Sequence, residues 1–85
     1  MKRKKRILKK LSNYFKLWRI EVYDISYQHK GHNHFTGNDE THISIKLHPK
    51  KDYNYSKIEI HRKINDILKD EFSSGLHALE IKIKN

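Results

Sequence analysis

The stretch Ser56–Lys84, SKIEIHRKINDILKDEFSSGLHALEIKIK, decides the fold. Ser56 and Glu59 stand at the spacing of a capping box, in which the hydroxyl accepts a backbone N–H at a helix start. Ile60, Ile64, Ile67, Leu68 and Phe72 recur at helical spacing on an otherwise charged segment, so one helix with one apolar stripe is expected there. Ser73, Ser74 and Gly75 stop it, and Gly75 suits a left-handed cap. The period then changes to two, with Leu79, Ile81 and Ile83 on one face of a strand and Ala78, Glu80 and Lys82 on the other. His77 has the parity of the apolar face but stands at its first position, which predicts a place at a sheet rim near a helix.

Upstream, Ile7, Leu8, Leu11, Tyr14 and Phe15 give a first helix with one buried stripe. Trp18, Ile20 and Val22 alternate with Arg19, Glu21 and Tyr23 as a strand with one covered face. In SYQHKGHNHFTGN, Ser26–Asn38, the apolar period is lost and Gly31, Gly37 and Asn38 favour turns, so a long loop is expected. A second strand, Thr41–His48, directs Ile43, Ile45 and Leu47 inward and His42, Ser44, Lys46 and His48 outward until Pro49 ends it. The order helix-strand-strand-helix-strand implies an α+β fold. The first two strands pair antiparallel, the last joins in parallel after its helix, and helices cover one face of a three-stranded mixed sheet. Residues 1–85 form one domain, with a frayed basic N-terminus at 1–6 and a histidine-rich loop at 26–40.

Of the formal charge of +9, Lys2, Arg3, Lys4, Lys5, Arg6, Lys9 and Lys10 supply seven, which leaves the remainder near +2. Like charges at a helix N-terminus oppose the helix dipole, hence the expected fraying. The run otherwise offers contact with nucleic acid or an anionic membrane surface. No apolar run approaches the roughly 20 residues of a membrane span. The chain has no cysteine, so it supplies neither a disulfide nor a thiolate. No serine sits in a catalytic elbow, no glycine-rich phosphate loop follows a strand, and the carboxylates lie mostly on solvated helix faces. The chain is therefore read as a non-enzyme. Histidine is the exception. His29, His32 and His34 fall within six positions of one loop, a spacing that suits either solvent-exposed side chains or imidazole ligation of a transition metal.

Two motifs carry a resemblance to the BolA family. One is Gly75-Leu76-His77-Ala78-Leu79-Glu80-Ile81, preceded by His61-Arg62 and by the helix to Glu71-Phe72. The other is Asp24-x-Ser26, His29-Lys30-Gly31-His32 and Glu40-Thr41-His42. The resemblance extends from about Ile7 to Ile83. One departure is Ile60 before His61-Arg62, where the family tends to carry arginine. The resemblance implies a partner, a monothiol glutaredoxin of the CGFS type, with which the chain shares a [2Fe–2S] cluster. Glutaredoxin and glutathione supply thiolates, and this chain supplies imidazoles from His77 and from His32 or His29, with His34 a weaker candidate. Such ligation lowers the negative charge on the cluster and makes assembly sensitive to pH. It further implies no cluster on the chain alone, a monomer or weak dimer, a role in cluster assembly, trafficking or iron-linked regulation, and a cytoplasmic or organellar-matrix setting. His42 and His61 are expected to hold strand and helix ends.

A competing reading comes from the element order, which also resembles class II KH domains, and from BolA-like transcription regulators linked to stress responses. Lys57, Arg62, Lys63 and Lys69 would then contact DNA. The GxxG loop of KH clamping is missing from the sequence. A plain protein-interaction module is the third reading.

Overall fold

The computed structural model describes residues 2–26 and 41–84. Helix α1 (Arg3–Tyr14) leads into strand β1 (Trp18–Asp24), and β2 (His42–Pro49) follows the 27–40 segment. Two consecutive helices, α2 (Lys57–Ile67) and α3 (Lys69–Ser73), precede β3 (Ala78–Ile83). The sheet order is β1-β2-β3. β1 runs antiparallel to β2, with Trp18 opposite Pro49 and Asp24 opposite Ile43. β3 runs parallel to β2, with His42 opposite Ala78 and Leu47 opposite Ile83. The expected mixed sheet is thus observed.

Packing follows the two periodicities. Ile7, Leu11 and Phe15 of the α1 stripe meet Ile60, Ile64 and Leu68 and the inward side chains Trp18, Val22, Ile43, Ile45 and Leu47 in one core. On the open face Glu21, Lys46, His48, Glu80 and Lys82 stay partly or fully exposed. His48 Nε2 stands 2.6 Å from Glu21 Oε2 there, and the Ser44 hydroxyl, buried beneath Glu80, donates to its carboxylate at 2.8 Å. The hydrogen bonds from His48 and Tyr23 hold the Glu21 carboxyl below its ordinary pKa.

One expectation needs correction. The single helix of 56–72 is broken at Leu68, whose φ of −97° and ψ of 10° depart from helical values. Its start is as expected, since the Ser56 hydroxyl accepts the Glu59 N–H at 3.2 Å. After the break, Phe72 is 37% exposed and Glu71 takes the inward position at 2%. The carboxylates are therefore not all on solvated faces. Helix α1 starts at Arg3, with no side-chain cap and no acid in its first turn. Its first turns are tied instead to Glu71. Arg6 grips it with Nε at 3.0 Å and Nη2 at 2.8 Å. Arg3 Nε donates at 3.0 Å and Lys10 Nζ at 2.9 Å. Together with the burial of Ile7 and Leu11, one buried acid and three cations outweigh the unfavourable helix dipole, an effect worth only about 0.3–1 kcal/mol per exposed charge.

Gly75 closes this end of the helix pair with φ +123°. A Cβ there would meet Arg3 Nη2 at 3.3 Å, the nitrogen that donates to the Ser74 carbonyl at 2.8 Å. Gly75→Ala should therefore lower stability by about 1–2 kcal/mol, from backbone strain and displacement of Arg3. Urea unfolding checks this. An unchanged midpoint would show that neither the φ nor the contact constrains the fold.

Candidate functional site

Beyond the last β1–β2 pair, the Ile25 N–H donates to the His42 carbonyl at 2.9 Å. Ser26 fastens the same end. Its buried hydroxyl oxygen accepts the Thr41 N–H at 2.9 Å and the His42 N–H at 3.2 Å. Its own N–H donates to Asp24 Oδ1 at 2.9 Å. The Asp24-x-Ser26 and Thr41-His42 pieces of the sequence motif are thus two sides of one stitch at the root of the 27–40 segment.

The start of β3 joins the same root. The Thr41 carbonyl accepts the His77 N–H at 2.7 Å and the Ala78 N–H at 3.2 Å. His77 is exposed at the rim, as its position in the sequence predicted. Its ring stands edge-on to that of His42, with centroids 5.8 Å apart and planes at 83°. His42 Nδ1 lies 3.0 Å from Thr41 Oγ1. His42 thus neighbours both Thr41 and His77. The sequence reading did not foresee the contact with His77, because the β2–β3 register follows from tertiary packing. Among the described residues, no three His, Cys, Asp or Glu side chains converge as a metal-holding group. His29, His32 and His34 lie outside the described residues.

Of the four cations of the nucleic-acid reading, two line one cleft and a third lines another. Lys57 and Arg62 line a shallow cleft with Ile58, His61 and Asn65. Lys63 lines a different cleft, its Nζ 4.6 Å from the Tyr14 ring centroid. Lys69 is the exposed first residue of α3. Arg3, Arg6 and Lys10 of the basic terminus are paired with Glu71. Among the described residues, no helix is long and apolar enough to cross a membrane.

A mixed sheet under helices, with a histidine at the start of its parallel edge strand, defines a BolA-like domain. The profile of the BolA-like protein family matches residues 11–85, and the chain belongs to that family. SufE-like protein 1 of Arabidopsis thaliana is 40% identical over 83 residues, which cover 93% of this chain and 22% of that longer protein. The UV-induced protein uvi31 of Schizosaccharomyces pombe is 38% identical over 84 residues, or 95% of this chain and 82% of uvi31. Among solved structures, the BolA domain of SufE1 from Arabidopsis thaliana aligns with a TM-score of 0.78 at 38% identity, over 99% of this chain and 92% of that one.

Proposed function

We propose that this chain is a non-enzymatic partner of a monothiol glutaredoxin and shares a [2Fe–2S] cluster with it, in cytosol or an organellar matrix. The observation that carries the reading is the exposed imidazole of His77, tied through Thr41 to the root of the segment that contains His29, His32 and His34. The donor set suits a shared cluster. With no cysteine, the borderline-soft ligands this chain offers iron are neutral imidazoles. Thiolates come from glutaredoxin and glutathione. Family membership supports the reading, and the presence of such a domain within a SufE-like protein is in keeping with an iron–sulfur setting.

Titration of the chain into cluster-loaded monothiol glutaredoxin with glutathione, followed by visible circular dichroism, tests it. New bands should develop with the wild-type chain and fail to develop with His77→Ala. If His77→Ala produced the same new bands as the wild-type chain, His77 would be removed from the ligand set. Undiminished glutaredoxin binding after His29, His32, His34 and His77 are all replaced by alanine would leave a metal-independent interaction module.

A further inference from the structure

The sheet has a second feature at the end remote from His77. The register puts Trp18 and Pro49 there, and the eight residues of β2 separate it from His42, a span of roughly 20–25 Å at strand rise. A cleft of about 500 Å³ opens between the last turn of α1 and the first turns of α2. Its floor is apolar and fixed: Phe15, Trp18 and Ile60 are buried. Trp18 meets Tyr55 edge-on at 4.9 Å and Tyr53 at 5.9 Å, and its indole N–H donates to the Tyr53 hydroxyl. The walls stay open. Tyr14 is 55% exposed, Leu17 56% and Tyr53 41%. Lys16 and Lys63 face the same space against one carboxylate, Glu59.

We propose that this cleft binds a nucleoside phosphate, with the planar base received by the exposed Tyr53 ring and the phosphate neutralised by Lys16 and Lys63. Ring faces accept any base by stacking. The excess of cations at the rim selects an anion, as does the chain's net charge of +9. A cleft of this size and lining falls within the range of small-ligand sites, about 300–1,000 Å³. The site is independent of the histidine rim, so it stands or falls separately from the cluster reading.

Trp18 is the only tryptophan and forms part of the floor, so its fluorescence reports occupancy directly. Adenosine monophosphate should give a saturable change in the full chain. Ribose 5-phosphate, which lacks the ring, and adenosine, which lacks the phosphate, should each bind about tenfold more weakly. The variant Lys16→Ala/Lys63→Ala should lose about tenfold in affinity, as expected for two exposed charge contacts. Both lysines are outside the buried core, so the fold is retained. Tetrathymidylate that binds more tightly than the monophosphate, with the same dependence on the lysines, keeps the proposal and identifies a strand as the source of the nucleotide. Equal affinity for ribose 5-phosphate, or equal affinity of the double variant for adenosine monophosphate, overturns it. So does the absence of both a fluorescence change and amide shifts in residues 53–63.

Discussion

Glu71→Ala should lower the unfolding free energy at neutral pH by about 3 kcal/mol, which is large for a domain of this size. The carboxylate is buried and accepts hydrogen bonds from three cationic side chains. Truncation leaves Arg3, Arg6 and Lys10 converging on a site with no acid and unpins the first turns of α1. Arg6 above all, joined by Lys10 and Arg3, holds the Glu71 pKa down from 4.5 to about 2, against an upward push from burial that is second only to the Arg6 hydrogen bonds. Because the folded value lies below the unfolded one, the contribution is fully present above about pH 4.5 and is lost as the pH falls towards 2. The shift corresponds to about 3 kcal/mol by linkage. Partial exposure of Arg6 and Lys10 at 38% and 35% brings it nearer to about 2. Glu71→Gln separates charge from shape. Its deficit against the wild type in urea unfolding should roughly halve between pH 7 and pH 3. A deficit that is the same at both would show that the charge on Glu71 does not stabilise the fold.

Much of the architecture was legible because periodicity and burial are two forms of the same fact. The 60-64-67-68 stripe, the 79-81-83 alternation and the Ser56 cap each fix an element from residues close in sequence, and the topology follows from their order. The ion cluster was not legible for the opposite reason. Glu71 meets its partners across 61 to 68 residues of chain, and no local pattern relates a basic terminus to one distant acid. At the 71–72 step helical spacing admits either residue, and hydrophobicity favours Phe72. Leu68 carries no glycine or proline to announce the break that turns Glu71 inward. At the candidate site, the rim position of His77 followed from the parity of its strand. The ring contact with His42 needed the parallel register. The gathering of Tyr53 and Tyr55 around Trp18 likewise depends on how the 50–55 connector returns to the end of β1, which polar composition does not encode.

The second large effect is expected at Ser26. Ser26→Ala should cost about 2–3 kcal/mol, because removal of one hydroxyl takes the side-chain acceptor from two backbone donors, the N–H groups of Thr41 and His42. The serine is 1% exposed, so water does not readily replace it. The loss should extend beyond stability. Thr41 lies between Ser26 and His77, giving its N–H to one and its carbonyl to the N–H of the other. A loosened stitch therefore frees the backbone that orients the His77 imidazole and the root of the 27–40 segment. The two consequences separate experimentally. Ser26→Thr keeps the acceptor and should retain most of the ability to change the visible spectrum of cluster-loaded glutaredoxin, even if its methyl group costs some stability. Ser26→Ala should weaken that spectral change while the variant is still folded, as judged by far-ultraviolet circular dichroism. If Ser26→Ala is folded and supports a full spectral response, the stitch serves the fold alone, and His77 is oriented by its place at the start of β3 without help from Ser26.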